Sequence, residues 1–322
     1  MNSSPESEPL PRVGVSSCLL GQQVRYDGGH KHNGYVTQTL GRYFELVPFC
    51  PEMAIGLGVP RPPIRLVAGP GDAVRALRVD DPAFEVTGPL AEYARRVADD
   101  NPDLSGYILK KGSPSCGMER VKVYTEAGMP ARGGVGIYAQ TLMAALPLLP
   151  VEEEGRLMDP VLRENFVERV FVYQRWQRLV AGGLTSARLV DFHTEHKFSI
   201  LAHDEPGYRE MGRLVAQAGQ GDLDALAQRY VRLLMGALRQ RATRKRHANV
   251  LMHIMGYLKP HLDGADKEEL LALIDRYRLG QVPLIVPITL LRHFLRRFPD
   301  PYISRQHYLQ PHPAELMLRN SL

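Results

Sequence analysis

The sequence is short of cysteine and tryptophan, with three of the first and one of the second in 322 residues, and it has no long apolar run. Its most apolar stretches, residues 141–151 and 283–291, are interrupted by proline and shorter than the roughly 20 residues that a membrane-spanning helix needs. Three cysteines are too few for a disulfide framework and favour free thiols, metal ligands or a catalytic role. Membrane-spanning and disulfide-rich classes are therefore excluded.

The amino-terminal segment also lacks the apolar core of a signal peptide, because residues 1–9 are polar and acidic. We predict a disordered tail over residues 1–10, a cytoplasmic location and no membrane partner. The length of the chain accommodates two domains with full cores.

Charge is distributed unevenly along the chain. Residues 1–150 contain 15 Lys and Arg and 15 Asp and Glu, whereas residues 151–322 contain 25 and 20. The whole excess of +5 therefore lies in the second half. This distribution favours chemistry in the first half and an anionic partner for the second.

The periodicity of apolar residues predicts a different fold class for each half. Residues 11–150 alternate short apolar runs with helical stretches, including helices over 89–99 and 137–145, which is typical of an α/β domain with a mostly parallel sheet. Residues 60–71 show no assignable pattern, and residues 151–155 are interpreted as a linker or the start of a helix. Helical periodicity over 165–180, 185–202, 222–259, 267–277 and 288–298 predicts an all-α domain over 151–322.

Each cysteine follows a run that is typical of a buried strand: Cys18 follows 12–17, Cys50 follows 43–49 and Cys116 follows 105–109. If these strands are parallel, the three thiols meet at the carboxyl edge of one sheet, where open α/β sheets bind ligands. The thiols could still be small buried side chains.

Two kinds of metal site would also use these thiols. One is zinc, with a fourth ligand from His30, His32 or Glu52, although the tight CxxC pairs of structural zinc sites are absent. The other is an iron–sulfur cluster in which three thiolates leave one iron open to substrate. The spacing alone does not separate the two.

A glycine-rich segment, Gly133-Gly134-Val135-Gly136, precedes a predicted helix and could hold an anion on backbone N–H groups. It has neither the spacing of a dinucleotide-binding turn nor the Lys-Ser/Thr of a P-loop. We therefore predict no nucleotide cofactor.

Four motifs stand in order in the first half. They are Val-Ser-Ser-Cys-Leu-Leu-Gly at 15–21, Arg-Tyr-Asp-Gly at 25–28, Phe-Cys-Pro-Glu at 49–52 and Lys-Gly-Ser-Pro-Ser-Cys-Gly at 111–117. As a set they resemble the thiouracil desulfidase family over about residues 11–150. The second half, through Phe-His-Thr-Glu-His-Lys at 192–197 and the basic segment 244–257, is similar to the YbgA-like helical domain fused to some members. The whole chain resembles the two-domain tRNA 4-thiouridine desulfidases.

The resemblance implies sulfur removal without net redox change, by a 4Fe–4S cluster held by Cys18, Cys50 and Cys116. The open iron would take the thiocarbonyl sulfur of a thiopyrimidine, a soft ligand for a soft site. Water would then attack the ring carbon, and the sulfur would leave as hydrogen sulfide.

Candidates for the catalytic groups lie beside the cysteines. Glu52, two residues after Cys50, is placed to act as the base that water attack needs, and the family uses a glutamate here. The alternative is a carboxylate that only stabilises the first turn of a helix. The serine that the family uses lies in 113–116; Ser115 is preferred to Ser113 because it adjoins Cys116, although either could cap the turn.

Three residues of the loop after the first cysteine are candidates for contact with substrate: Tyr26, Asp27 and His30. Asp27 could accept a hydrogen bond from a pyrimidine N–H, or it could simply form a turn with Gly28. His30 lies with His32 in a glycine-rich loop, where histidines are often only solvated.

Residues 229–259 contain eight basic residues and no acidic one. The densest part holds the predicted RNA-binding residues Arg239, Arg241, Arg244, Lys245 and Arg246, which could contact phosphates, while nearby tyrosines and histidines could stack on unpaired bases. The alternative is a solvated basic face. His193 and His196 are interpreted as core or RNA-facing residues.

The resulting hypothesis is an enzyme that hydrolyses the carbon–sulfur bond of 4-thiouridine in tRNA, with this tRNA as its partner. One alternative is the same reaction on free thiouracil bases. The other, from a different class, is a non-catalytic RNA-binding protein whose cysteines sense iron or oxidation.

Overall fold

The computed structural model describes residues 9–71, 73–125 and 127–321. The chain divides into two compact units, the first ending at Asp159 and the second beginning at Pro160. Residues 1–8 of the predicted disordered tail lie outside the described residues, and Pro9 and Leu10 are exposed.

Among the described residues, the first unit contains two four-stranded sheets. The strands are β1 (Arg12–Ser16), β2 (Glu45–Phe49), β3 (Ile64–Ala68), β4 (Val74–Arg78), β5 (Leu104–Leu109), β6 (Val121–Tyr124), β7 (Pro130–Gly134) and β8 (Val151–Glu153). The unit also contains the helices α1 (Pro51–Ala54), α2 (Thr87–Asp100) and α3 (Ile137–Ala145).

The first sheet is parallel throughout, in the order β2-β1-β5-β8. All six residues of β5 are buried, as expected for a parallel strand covered on both faces. Gly14 of β1 leaves room for the ring of its partner Tyr107 in β5, since a Cβ there would lie 2.4 Å from that ring. The predicted α/β fold with a mostly parallel sheet is confirmed.

The second sheet, in the order β4-β3-β6-β7, is mixed, since β3 pairs parallel with β6 but antiparallel with β4. β3 lies in the segment 60–71 that showed no pattern in the sequence. In β3 buried and partly exposed residues alternate, with Ile64 and Leu66 buried and Arg65 partly exposed. The strand is too short for this alternation to be recognised in a sequence rich in proline.

The interpretation of residues 151–155 as a linker or helix start was wrong. Val151–Glu153 form β8, which pairs with Tyr107–Leu109 of β5 and so extends the first sheet. Three residues are too few to show strand periodicity, and their two glutamates suggest a surface segment.

The second unit is helical. Its helices are α4 (Pro160–Ala181), α5 (Ser186–His203), α6 (Glu205–Val215), α7 (Leu223–Arg239), α8 (Arg244–Leu258), α9 (Gly264–Arg278), α10 (Ile285–Arg297) and α11 (Pro301–Ser304). The predicted all-α class is confirmed. Among the described residues, no helix combines the length and apolar character needed to cross a membrane.

Side-chain caps fix where several of these helices begin. Asp222 accepts hydrogen bonds from the backbone N–H groups of Asp224 and Ala225, and Thr243 accepts one from Arg246. Thr243 therefore marks where a second helix begins within residues 222–259. The helical periodicity predicted across this segment comes from two helices, α7 and α8.

The second unit buries an unusual number of histidines. Burial lowers the pKa of His193, His307 and His312 to about 4 and that of His247 to about 3, and it lowers the pKa of His196 well below its usual value. His203 differs, because its contact with Glu168 (3.4 Å) outweighs burial and raises its pKa. Burial opposes the ionisation of Glu168, but His203 lowers its pKa.

We expect these histidines to make the protein sensitive to mild acid. The unfolded chain takes up protons as the pH falls through about 6.5, whereas four of the folded histidines do so only near pH 4 or below and the lowered pKa of His196 acts in the same direction, so acid favours unfolding. The raised pKa of His203 makes acid stabilise the folded state, but this is one group against five. The free energy of unfolding should fall by on the order of a few kcal/mol between pH 7.5 and pH 5.

Thermal melting followed by circular dichroism at these two pH values tests the expectation. Because most carboxylates are still ionised at pH 5, the difference reports mainly on the histidines. A His247→Phe variant should lose part of the pH dependence. Equal melting temperatures at both pH values would contradict this account of the helical core.

Candidate functional site

The carboxyl edge of the first sheet brings the three cysteines together. Cys18 lies two residues beyond β1, Cys50 directly follows β2, and Cys116 lies in the loop after β5, which is the next strand on the other side of β1. All three are free thiols in the wall of one cavity of about 210 Å³. Adjacent parallel strands thus deliver three sulfurs to one place.

The cavity wall combines thiols, cations, a carboxylate and apolar side chains. Its residues are Ser16, Ser17, Cys18, Val24, Arg25, Tyr26, Phe49, Cys50, Pro51, Glu52, Arg61, Pro63, Ile64, Lys110, Lys111, Gly112, Ser113, Pro114 and Cys116. One wall residue, Phe49, stacks on Tyr107 at 5.7 Å between ring centroids. Tyr107 in turn bonds the hydroxyl of Tyr138 at 2.9 Å. Phe49 is thus held in the cavity wall by two buried tyrosines behind it in the contact chain.

Burial raises the pKa of all three thiols. The pKa of Cys18 rises to about 11, with Cys50 adding to the effect, and those of Cys50 and Cys116 also rise, the latter strongly. Reactive and redox-sensing cysteines need the opposite, an accessible thiolate with a low pKa. The site therefore does not resemble that of a free cysteine nucleophile or an oxidation sensor, whereas a bound metal deprotonates a coordinating thiol outright.

The donor set could hold an iron–sulfur cluster more readily than one metal ion. Among the residues that the structure describes, no group of three His, Cys, Asp or Glu is arranged to hold a metal ion. Two of the three proposed fourth ligands of zinc are engaged elsewhere: His32 bonds Thr37 at 2.9 Å, and the His30 ring accepts the backbone N–H of His32. In a cubane cluster each thiolate binds a different iron, so the sulfurs stand farther apart than around one ion.

Glu52 is held at the cavity by two partners. The hydroxyl of Ser115 donates to Oε1 at 2.9 Å, and Arg61 donates to Oε2 through Nε at 2.9 Å and Nη2 at 2.7 Å. Arg61 is itself fixed by the carbonyl oxygens of Gly58 and Val24 and is only 8% exposed. This arrangement orients one carboxylate with a charged fork on one oxygen and a hydroxyl on the other.

The two candidate serines have different surroundings. The Ser113 hydroxyl accepts the backbone N–H groups of Ser115 and Cys116, at 3.2 and 3.1 Å, and so caps the turn before the third cysteine. Ser115 is fully buried behind the cavity wall, where its hydroxyl reaches Glu52. Ser113 therefore lies in the wall with a structural bond, and Ser115 bonds the carboxylate.

The sequence analysis did not identify Arg61 as a site residue, because it lies in the segment 60–71, to which no structure was assigned. The sequence does place it alone among apolar and proline residues, Val59 to Ile64. A lone arginine in such a segment needs a buried partner, and this could have directed attention to it.

The loop after Cys18 contributes one of its three candidates to the cavity. Tyr26 lies in the wall, with Arg25 over its ring at 5.4 Å. Asp27 instead accepts the N–H of Gly29 at 3.0 Å and faces Arg25 at 3.4 Å. The Gly29 bond, followed by Arg25, lowers the pKa of Asp27. Asp27 and His30 are not among the lining residues, which matches the turn-forming alternative.

Two glutamates of the misassigned segment hold the loop that carries Cys116. Glu153 accepts the backbone N–H of Met118 at 2.8 Å, directly beyond Gly117. Glu154 forms an ion pair with Lys110 and accepts the backbone N–H of Lys111 at 2.7 Å. The end of β8 and the residue that follows it therefore fix the loop on both sides of the third cysteine.

The glycine-rich segment before α3 is not an anion site. The backbone N–H groups of Gly136, Ile137 and Ala139 donate to the carbonyl oxygens of Gly117, Pro114 and Ser115, at 2.8, 3.1 and 3.1 Å. These N–H groups are the ones that would bind an anion, and they already have hydrogen-bond partners. The start of α3 therefore fixes the loop with Cys116 instead.

Replacing Gly136 with alanine should displace that loop. A Cβ at this position would lie 2.4 Å from the carbonyl oxygen of Ser115 and 2.9 Å from the backbone nitrogen of Cys116, so backbone would have to move. Since a shift of about 1 Å in a catalytic group can cost about 10²-fold in rate, we expect a kcat loss of that order in the sulfide release from thiopyrimidines that the family resemblance implies.

The matched control is Gly88→Ala in α2, where a Cβ meets nothing within 4 Å. It should leave the rate unchanged. Wild-type activity in the Gly136→Ala variant would contradict the positioning role.

A second depression adjoins the cavity and shares Ile64, Gly112 and Pro114 with it. It has a volume of about 580 Å³, and its charged lining residues are Arg65, Arg120 and Lys122, with no acidic residue in the lining. An anionic group on the substrate would find a favourable surface here, directly beside the cysteines.

The predicted RNA-binding residues lie at the end of α7, in the next loop and in the first turn of α8. Arg239, Arg241, Arg244 and Lys245 are exposed and form no ion pair with any described residue, whereas Arg246 donates to the carbonyl oxygen of His203. Cations in the first turn of a helix are unfavourable to the helix dipole. The helix dipole therefore does not account for the cations of this turn.

Taken together, the fold and the cavity define an α/β enzyme domain with a site of soft sulfur donors beside a held carboxylate, followed by a basic helical unit. Family models agree with this division. One, described as 2-thiouracil desulfurase, matches residues 13–154, and another, described as protein of unknown function DUF1722, matches residues 197–313. The chain belongs to the 2-thiouracil desulfurase family, with a YbgA-like domain after the desulfurase domain.

Individual relatives each match about half of the chain. "Uncharacterized protein YbgA" of Escherichia coli (strain K12) is 38% identical over 154 residues, which are 48% of this chain and 91% of the relative. "Uncharacterized protein YbbK" of Bacillus subtilis (strain 168) is 32% identical over 136 residues, 41% of this chain and 89% of the relative. A solved structure, the "[4Fe-4S]-dependent thiouracil desulfidase TudS", is 30% identical and covers 49% of this chain and 99% of its own, with a TM-score of 0.35.

Proposed function

We propose that this protein hydrolyses the carbon–sulfur bond of 4-thiouridine in tRNA, with a 4Fe–4S cluster held by Cys18, Cys50 and Cys116. The observation that carries the proposal is the meeting of three thiols and a held carboxylate, Glu52, in one cavity. Water and the thiocarbonyl give a carbonyl and hydrogen sulfide, so the reaction balances without an oxidant or reductant.

When bound, the cluster supplies a soft Lewis-acidic iron that polarises the thiocarbonyl. Glu52 takes the proton of the attacking water, since its carboxylate lies in the cavity wall and is fixed in direction. Arg61 holds Oε2 and so leaves Oε1 as the oxygen that exchanges a proton. Ser115 donates to one lone pair of Oε1, which keeps that oxygen oriented and leaves its second lone pair for the proton.

The wall supplies the remaining contacts of the ring. Tyr26 and Phe49 offer aromatic faces for a pyrimidine, and Lys110, which forms an ion pair with Glu154, lies in the same wall. The cavity of about 210 Å³ would have to hold the cluster as well as the reacting ring, which leaves room for no more than one base, so a nucleotide of folded tRNA would enter flipped out of its stack.

Two surfaces favour tRNA over the free base. The depression next to the cavity carries three cations and no acid in its lining, and the helical unit carries cations at the start of α8 that form no ion pair with a described residue. Free thiouracil, which is neutral and small, would need neither. Desulfuration of free thiouracil bases remains the alternative, and it shares the same cavity.

The test uses full-length protein prepared without oxygen and purified tRNA that contains 4-thiouridine. Nucleoside composition before and after incubation should show 4-thiouridine replaced by an equal amount of uridine, with sulfide released. Turnover of free 4-thiouracil but not of tRNA would leave the alternative in place.

Reversing the charge of Arg120 and Lys122 together should separate the two substrates. Because polyanion binding depends on such charges, we expect KM for tRNA to rise about tenfold or more. KM for free 4-thiouracil should not change, since neither residue lines the cavity. Steady-state kinetics on both substrates checks this, with Arg95→Glu, an exposed residue of α2 outside both depressions, as the control. Equal effects on the two substrates would contradict it.

A further inference from the structure

The helical unit contains a groove of about 850 Å³ between α5, α6, α8 and α11. Its residues are Lys197, Phe198, Leu201, Glu205, Tyr208, Arg209, Thr243, Lys245, Arg246, Asn249, His253, Tyr257 and Tyr302. The lining therefore holds four cations and one acid, together with three tyrosines. Neither the family description nor the basic cluster of the sequence analysis assigns this groove.

One face of α8 forms a continuous polar stripe along the groove. Lys245, Asn249, His253 and Tyr257 follow one another at intervals of four residues and are all exposed. The stripe runs for about 18 Å along the helix, at 1.5 Å per residue. This exceeds the length of one nucleotide, so a ligand that contacts both ends of the stripe must be a chain.

The aromatic end of the groove presents a stacking surface. Tyr257 is 45% exposed, and its ring lies 5.4 Å from that of Tyr302, with 32° between the planes. Lys197 lies over the Tyr302 ring at 5.9 Å. An exposed tyrosine supported by a second ring and a cation is the type of platform on which single-stranded nucleic acids stack their bases.

The cations differ in how far they are already engaged. Arg209 pairs with Glu205 at 2.6 Å, and Arg246 donates to a backbone carbonyl. Lys245 forms no ion pair with any residue in the described part of the chain and stands at the end of the stripe opposite Tyr257. It is the cation with most freedom to contact a phosphate.

We propose that this groove binds an unpaired stretch of RNA, with a base stacked on Tyr257 and phosphates along the stripe toward Lys245. The inference rests on the proposed function, because it names the surface that would hold the tRNA while a flipped nucleotide occupies the thiol-lined cavity. Of the five basic residues singled out in the sequence, only Lys245 and Arg246 line the groove.

The test measures binding of a labelled decauridine oligoribonucleotide to the full-length protein by fluorescence anisotropy. Tyr257→Ala should weaken binding about 5- to 100-fold, while Tyr257→Phe, which keeps the ring, should stay close to wild type. Lys245→Ala should reduce the slope of log Kd against log salt by about 1. Arg276→Ala, which removes an exposed cation of α9 outside the groove, should change neither property.

Several results would overturn the groove proposal. They are unchanged binding in Tyr257→Ala and Lys245→Ala, equal competition by polyglutamate, and competition by uridine monophosphate as strong as by the oligonucleotide. The last two would indicate a general polyanion surface or a mononucleotide site.

Sulfide release from free 4-thiouracil and from tRNA separates this inference from the function on which it rests. Groove-dependent oligonucleotide binding by a protein that leaves tRNA thiolated would support the groove and refute the tRNA reaction. Normal KM for tRNA in both groove variants would refute the groove and leave the reaction standing.

Discussion

Replacing Cys116 with serine is expected to abolish sulfide release and to prevent iron from being retained. Cys116 is buried in the cavity wall, in a loop held by Ser113, by the start of α3 and by Glu153. A serine hydroxyl occupies the same space but is a hard, weakly acidic donor that is poor for iron in a sulfur cluster. We expect a loss of activity of at least about 100-fold, the upper range for changes in residues that only support metal ligands.

Cys18→Ser and Cys50→Ser should give the same result, because each thiol would bind a different iron. Since the chain has three cysteines, no fourth is present to serve as a matched control. Far-UV circular dichroism spectra and melting temperatures of the variants serve as the control instead. Both should equal those of the wild-type apoprotein. Full activity in any one of the three variants would contradict three-cysteine ligation.

Replacing Glu52 with glutamine is expected to lower kcat about 10²- to 10⁴-fold, the usual contribution of a general base. Glutamine keeps the shape of the side chain and a carbonyl oxygen for Arg61, but it cannot accept the proton of water. Iron content should be unchanged, because Glu52 is bonded to Arg61 and Ser115 and is not in the ligand set. Anaerobic kinetics together with iron analysis measures both properties.

Two comparisons sharpen this experiment. Glu92→Gln, on the exposed side of α2, should behave as wild type. If Ser115 acts through Glu52, then Ser115→Ala combined with Glu52→Gln should be little slower than Glu52→Gln alone, because residues that act as a unit are not additive. Independent, multiplying losses would assign Ser115 a separate role, and normal kcat in Glu52→Gln would refute the base.

The meeting of the three cysteines could be predicted because it depends on topology. Once the apolar runs before Cys18, Cys50 and Cys116 form adjacent parallel strands, their carboxyl ends share one edge. The fold class and the bounds of α3 were likewise predictable, since both follow from periodicity and from turn residues. The family resemblance is confirmed for both domains.

The environment of the candidate catalytic groups could not be predicted, since it depends on where side chains point. The motif Ser113-Pro114-Ser115-Cys116 offers two hydroxyls at similar positions, and only the structure separates the one that caps the turn from the one that bonds Glu52. Arg61 comes from a segment with no readable pattern. The N–H groups after Gly133-Gly134 looked free in the sequence but are taken by the loop of Cys116.

Other expectations concern function and stay predictions. Contact of Asp27 and His30 with substrate is one, and the structure engages both in local hydrogen bonds outside the cavity lining. Binding of tRNA by Arg239, Arg241 and Arg244 is another. These residues are exposed and carry no ion pair to a described residue, but they do not line the groove along α8.

A single-turnover reaction in ¹⁸O-labelled water tests hydrolysis at the thiol-lined site most directly. Protein prepared without oxygen, with its iron counted, is mixed with tRNA that contains 4-thiouridine. The account predicts protein with about four irons. It also predicts one sulfide released for each 4-thiouridine lost, and one ¹⁸O atom in the uridine that replaces it. Retained 4-thiouridine in iron-loaded protein, or uridine whose new oxygen does not come from water, would contradict it.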